Sequence, residues 1–317
     1  MTTEKKKNLL GQVLLLLITI AWGSSFIILK RTIEESPPLY IIGIRFLCSG
    51  IVMALIFCKK TFSVSKSTLV HGLSLGVLLA AAYITQTTGL KYISPGKNAF
   101  LTSIYCVMIP FLQWWLFKLK PKSYNIISAL VCISGLALIS FSGTGESGSH
   151  EFIGSTFTLL CCVFYALQII YSGRFQEKGD DTLQLLIYQM LISGVIIFAL
   201  SFIYEFPRYE ISAFAIKEDQ IFPIIYLTIV CTFLAQMGQM VGIKLTSPTQ
   251  TSLILSFEAV FGVIFSIIAG AEKLNAYLII GFLIMFAGTM ISELKLDILK
   301  PFKKKPKKKQ ENPPTDD

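Results

Sequence analysis

Tyr83-Ile-Thr-Gln86-Thr-Thr-Gly89-Leu-Lys91-Tyr-Ile-Ser94-Pro95 lines up without a gap on Gln236-Met-Gly-Gln239-Met-Val-Gly242-Ile-Lys244-Leu-Thr-Ser247-Pro248, 153 residues further on. Gln, Gly, Lys, Ser and Pro recur at identical spacing. Each copy joins one long apolar segment to the next, the third to the fourth and the eighth to the ninth. That match in segment order points to a duplicated chain with halves at 1–143 and 152–296. Gln86/Gln239 and Gly89/Gly242 are three apart and so share a helix face. Gly72 and Gly76, like Gly238 and Gly242, have the spacing that lets two membrane helices approach closely. Lys91 and Lys244 fall at segment ends, where an ammonium reaches lipid headgroups. Pro95 and Pro248 open the next helix, where a missing N–H costs little.

The chain outside the repeat sets its solvent. It has 317 residues, of which 53% are hydrophobic and only 15% charged, against roughly 25% charged for a soluble domain. Mean hydropathy is +0.66. Bulk disorder is excluded, since disordered segments are polar. A span needs about 20 apolar residues, and ten segments qualify: Leu9–Leu29, Leu39–Phe57, Leu69–Leu90, Ser94–Phe117, Ile126–Phe141, Phe152–Tyr171, Leu183–Tyr204, Ile221–Ile243, Ser247–Ala269 and Ala276–Glu293. The first resembles a signal peptide at its start, but no small-x-small cleavage site ends it before Trp22, so it is read as an uncleaved span. The expected fold is all-α and polytopic, ten transmembrane helices as two inverted five-helix repeats. Five spans per half force the second half into the bilayer upside down relative to the first, an arrangement that places a substrate site near the midplane. In order along the chain stand an N-tail (1–8), the first repeat (9–143), an external loop (144–151), the second repeat (152–296) and a basic tail (297–317).

The net charge of +9 is placed for membrane orientation, not for nucleic acid. Ten spans put both termini on one side, which carries 20 Lys and Arg against 7 on the other, with Arg45 inside a span. The positive-inside rule then makes both ends cytoplasmic. The tails decide this, because the loops alone split 9 to 7. The Lys303–Lys309 cluster reads as a topology anchor or a contact for anionic lipid. The seven cysteines all fall in apolar runs and are expected to act as small buried hydrophobes. They form no CxxC pair and no Cys/His cluster, and His71 and His150 stand far apart. Neither a disulfide, nor a metal site, nor a cofactor is expected. Gly143-Thr-Gly145-Glu-Ser-Gly148 matches a dinucleotide fingerprint literally, but no strand precedes it. No Walker, HExxH or GxSxG motif occurs.

Trp22-Gly23-Ser24-Ser25-Phe26 in the first span, Arg45-Phe46-Leu47 in the second, the Gly-x-Lys-x-x-Ser-Pro hinges and Glu258 in the ninth resemble the EamA family of the drug/metabolite transporter superfamily, over residues 9–296. The resemblance implies a ten-helix inverted-repeat carrier, usually an exporter of amino acids or other metabolites, in the bacterial cell membrane. It also implies a cavity built mainly by spans one to four and six to nine. Phe164-Tyr165 stand where a Trp would echo Trp22.

Ionisable groups inside the bilayer are costly and are functional candidates by default. Glu258 lies about ten residues into its span, ~15 Å deep, where it could exchange a proton or pair with a substrate ammonium. Arg45 is shallower and either holds a substrate carboxylate or snorkels to the outer interface. Glu293 reads as an interfacial cap, and Trp114-Trp115 beside Lys118 as part of an aromatic belt. Neutral polar and aromatic residues complete the candidate pocket: Trp22, Ser24, Ser25, Tyr83, Gln86, Tyr105, Tyr165, Gln168, Gln236 and Gln239. Such a lining suits a zwitterion or modest organic cation better than a polyanion. The expected function is a secondary-active exporter of amino acids or related metabolites by alternating access, with proton coupling at Glu258. Import of a small amine is the alternative. A membrane-embedded enzyme would need a nucleophile with its base or paired acids, and a receptor or scaffold would need a soluble domain. The implied partners are a small-molecule substrate and the bilayer; oligomeric state stays open.

Overall fold

Residues 3–140, 148–246, 251, 254–271 and 276–294 are described in the computed structural model. Outside them lie Ser247 and Pro248 of the second repeat copy, Gly143 to Ser147 of the glycine-rich loop, and the lysine-rich tail. Apolar sequence in lipid can satisfy its backbone only within helices or closed barrels, and every regular element among the described residues is helical. In chain order these are α1 (Thr3–Glu35), α2 (Pro38–Ile56), α3 (Cys58–Phe62), α4 (Lys66–Tyr92), α5 (Pro95–Thr102), α6 (Tyr105–Phe117), α7 (Ser123–Ser140), α8 (Gly148–Glu177), α9 (Thr182–Tyr204), α10 (Glu218–Thr228), α11 (Ala235–Leu245), α12 (Phe257–Ile268) and α13 (Ala276–Glu293). A π-helical stretch, Ile229–Leu234, joins α10 to α11 without breaking the rod. Among the described residues seven helices, counting α5–α6 and α10–α11 as one each, are long and apolar enough to span a bilayer; Ser123–Gly135, Phe257–Ile268 and Ile279–Gly288 are shorter apolar stretches. The chain is a multi-pass integral membrane protein.

The helix starts are locally encoded. Ser65 accepts from the Thr68 amide and Ser94 from the Lys97 amide, with Pro95 at the first position of α5. Asp181 accepts from the amides of Leu183 and Gln184 to start α9. α2 lacks such a cap of its own. Glu205, at the end of α9, supplies it instead, accepting from the amides of Leu39 (2.7 Å) and Tyr40 (2.9 Å). A carboxylate there also meets the positive end of the helix dipole.

α4 packs along α8 and α9, α2 along α9, α1 along α11 and α12, α5 against α12, and α7 against α13. Glycine lets the backbones meet. A Cβ on Gly135 would sit 2.5 Å from Met285 Cγ and 2.8 Å from the Gly281 carbonyl oxygen; one on Gly288 would sit 2.7 Å from Cys132 Sγ and 3.1 Å from the Ser128 carbonyl oxygen. These two contacts are mirror statements of each other, because Gly135/Gly288, Cys132/Met285 and Ser128/Gly281 each differ by 153 positions. The same shift recurs at the centre. α5 gives way to α6 at Ser103-Ile104, where the Cys106 amide bonds the Ser103 carbonyl; before α12 the Ala259 amide bonds the Ser256 carbonyl, both at 3.2 Å.

Some expectations need correction. Cys48 and Cys58 are exposed, while the other five cysteines are buried. Cys48 faces outward from α2, and Cys58 opens the short helix α3 beside Lys59 and Lys60, past the end of the span. Lys91 lies exposed in the last turn of α4, its ammonium 3.3 Å from the Tyr209 hydroxyl. Trp114 and Trp115 are exposed at the end of α6, as an interfacial position requires.

The α7–α13 crossing yields a prediction. Gly135→Ala places a methyl against backbone that cannot move aside, and overpacking of this kind costs ~1–3 kcal/mol. Gly148→Ala meets nothing within 4 Å and is expected to leave the thermal transition of detergent-purified protein unchanged, while Gly135→Ala lowers it.

Candidate functional site

The centre of the bundle holds a narrow cavity lined by Trp22, Ser25, Phe26, Tyr83, Gln86, Tyr105, Tyr165, Ile169, Gln239 and Glu258. Eight of the twelve candidate residues meet there. Phe26 and Ile169 were not anticipated, yet each stands four residues after an anticipated aromatic, Trp22 and Tyr165, on the same helix face. The lining falls into pairs. Gln86 and Gln239 differ by 153 positions, as do Tyr105 and Glu258; Trp22 and Tyr165 differ by 143, as do Phe26 and Ile169. Tyr105 and Glu258 each follow one of the two central turns, in the first turns of α6 and α12.

Aromatic rings form the wall. Tyr83 meets Tyr165 edge-on at 5.5 Å between centroids and Phe46 at 4.5 Å; Tyr105 lies 6.0 Å from Tyr165. Trp22 is held by its indole N–H, which donates to the Cys231 carbonyl in the π-helical stretch at 2.8 Å. Glu258 is 4% exposed, and among the described residues no donor reaches its carboxyl. Gln239 is 1% exposed and its Oε1 has no hydrogen-bond partner. The cavity therefore presents two strong acceptors with nothing to accept from.

The other four candidates stand behind the lining. Gln168 donates to Gln189 (2.9 Å), Gln189 to Gln236 (3.4 Å) and Gln236 to the Tyr83 hydroxyl (3.4 Å). This amide chain crosses from α8 through α9 and α11 to α4 and fixes Tyr83 from the rear. Gln189 was not anticipated; nothing in its surroundings in sequence sets it apart. Ser24 bonds the Tyr226 hydroxyl at 2.8 Å, away from the cavity. Arg45 does not snorkel. It is 1% exposed, and its Nε and Nη2 donate to Thr232 Oγ1 at 3.2 and 3.0 Å. The π-helical stretch makes that possible, since Thr232 bonds back five residues to the Leu227 carbonyl and turns its oxygen toward α2. Of the possible roles for Arg45, reaching an interface is removed.

Contacts join helices at both ends of the bundle. On one side Lys97 pairs with Glu151, and Lys30 Nζ caps the end of α4 through the carbonyls of Leu90 (2.7 Å) and Lys91 (3.0 Å). On the other, Gln176 donates to the Met240 carbonyl (3.2 Å) and Asn8 to that of Leu245 (3.4 Å). The cavity holds only about 20 Å³, room for about one water molecule. A solute of metabolite size requires the helices to part. Among the described residues no three His, Cys, Asp or Glu side chains are grouped to hold a metal ion.

The fold is a helical membrane bundle with a small polar-tipped cavity at its centre. The sequence matches the EamA-like transporter family over residues 9–141 and again over 152–294. The chain belongs to that family, within the drug/metabolite transporter superfamily. An uncharacterized transporter of Archaeoglobus fulgidus is 26% identical over 290 residues, covering 91% of this chain and 88% of that one. The uncharacterized transporter YvbV of Bacillus subtilis is 24% identical over 289 residues, covering 89% and 91%. A crystal structure sharing 16% identity superposes with a TM-score of 0.66 over 92% of this chain and 99% of the other, and so shares its fold.

The Arg45–Thr232 contact can be tested. Thr232→Val keeps the side-chain shape and removes the acceptor of a buried cation, where hydrogen bonds are worth ~1.5–3 kcal/mol. Thr228→Val, which loses a bond to the Ile224 carbonyl alone, is expected to shift the thermal transition by less.

Proposed function

We propose that the protein is a secondary-active carrier that moves a small ammonium-bearing metabolite, of amino-acid type, out of a bacterial cell with both termini cytoplasmic. Two five-helix halves, inverted in the bilayer, would rock about the central cavity and expose it to each side in turn. The reciprocal glycine contacts and the paired lining residues, both at constant sequence shifts, support this arrangement. A single observation carries the substrate class: the carboxyl of Glu258 and the amide oxygen of Gln239 line one aromatic cavity, and among the described residues neither accepts a hydrogen bond. An ammonium offers three donors, and aromatic faces attract it further. Arg45, buried without a carboxylate partner among the described residues, lies behind Tyr83 and biases the site toward a zwitterion over a simple amine. Proton exchange at Glu258 would drive the empty carrier back, since a protonated carboxyl no longer competes for a cation.

Proteoliposomes loaded with candidate amino acids and amines, under an imposed proton gradient, test the reading. Wild-type protein is expected to show saturable, pH-dependent flux of an ammonium compound. Glu258→Gln is expected to fold with a near-normal thermal transition and to weaken that solute by about tenfold to a hundredfold, the worth of a charge-assisted hydrogen bond. Flux with unaltered pH dependence in that variant removes Glu258 from coupling. Preference for inward movement favours the importer alternative, and absence of flux for every solute favours a scaffold or an enzyme.

A further inference from the structure

α7 packs chiefly on α13 and touches α6 only lightly. The gap leaves a groove of about 530 Å³ between α6, α7 and α8, lined by side chains that include Ile104, Met108, Phe111, Trp115, Ile133 and Leu159. It runs along α6 from Ile104 near the central turn to Trp115 near the helix end, eleven residues or roughly 16 Å at 1.5 Å per residue. That is about half of a ~30 Å hydrocarbon core, the depth of a single leaflet. Where the groove meets the interface the chain changes character. Trp115 is 70% exposed; the helix ends with Lys118 in the left-handed region (φ 60°), its amide bonded to the Trp114 carbonyl at 2.8 Å. Lys118, Lys120 and Lys122 follow within five residues, all exposed. The positions 153 residues further on hold Ala271, Lys273 and Asn275, so the other half does not repeat this cluster.

We propose that this groove is a binding site for one anionic phospholipid, an acyl chain lying along α6 and the headgroup phosphate among Lys118, Lys120 and Lys122. The occupant follows from the match of groove length to a leaflet, the interfacial Trp at the mouth and the three cations beyond it. The site is separate from the central cavity, with which it shares no lining residue. Its inner wall, however, is the other face of the α6 turn that carries Tyr105. A lipid seated there would brace α6 against α8 as the bundle moves.

Native mass spectrometry of the full detergent-purified chain, mixed with phosphatidylglycerol or phosphatidylcholine of matched acyl chains, tests this. Wild-type protein is expected to retain phosphatidylglycerol in preference. Changing Lys118, Lys120 and Lys122 together to Gln should erode that preference by roughly fivefold per lysine at low ionic strength and leave phosphatidylcholine retention alone. Ile133→Trp, which fills the groove from an exposed position, should reduce retention of both lipids. Replacing Lys303 to Lys309 of the tail should leave the preference intact. Equal retention of the two lipids overturns the proposal. So does a preference that vanishes with the tail lysines and survives the triple change, or a dimer mass abolished by Ile133→Trp, which would make a second copy the occupant.

Discussion

Lipid offers no hydrogen bonds, so each polar group carried into the bilayer must find its partner inside the protein or remain costly. Most buried polar side chains of this bundle obey that constraint through close neighbours. Serines and threonines bond carbonyls three or four residues back, as Thr85 and Thr88 do. Some buried atoms are exceptions, among them Thr87 Oγ1, Asn98 Oδ1 and Ser266 Oγ, and two acceptors stand side by side. Glu258 and the Gln239 oxygen lack donors while lining the same cavity. A polar group left unsatisfied in a native interior carries a penalty of ~1–3 kcal/mol. Here two such acceptors stand together in one cavity at the centre of the bundle.

The two helix interruptions follow from the same constraint. An unbroken helix runs all its backbone bonds internally and has nothing to offer a solute. The turns at Ser103-Ile104 and Ser256 break the ladder at mid-depth, and the freed region is buried in protein, the condition under which lipid permits irregular backbone. The π-helical stretch Ile229–Leu234 is a third departure, and it too serves the centre. It redirects Thr232 to Arg45 and the Cys231 carbonyl to Trp22.

Hydropathy located the spans that the structure shows as seven long apolar helices among the described residues, because a lipid-facing segment must be apolar over its whole length. The site was legible for a related reason: a glutamate, a glutamine pair and aromatics stand out where nearly everything else is aliphatic. Gln86 and Gln239 could be paired from the repeat alone. Periodicity failed where chemistry carried no contrast. Phe26 and Ile169 line the cavity, but phenylalanine and isoleucine also face lipid, and only their spacing from Trp22 and Tyr165 separates the two. For Arg45 the sequence leaves a substrate carboxylate and the interface as alternative partners, because depth in sequence says nothing of Thr232, 187 positions away. The interruption inside the fourth span and the π turn in the eighth leave no mark in composition.

The pairing of Tyr105 with Glu258 has one more implication. Two copies of the first half, joined head to tail, would close a hollow around twin phenols and bind no cation by charge. Two copies of the second would set a pair of carboxylates face to face, and mutual repulsion would force one of them to hold a proton permanently. In the chain as it stands, the lining carries one carboxyl and one phenol at these matched positions, so the asymmetry between the two halves is sharpest at the centre of the bundle.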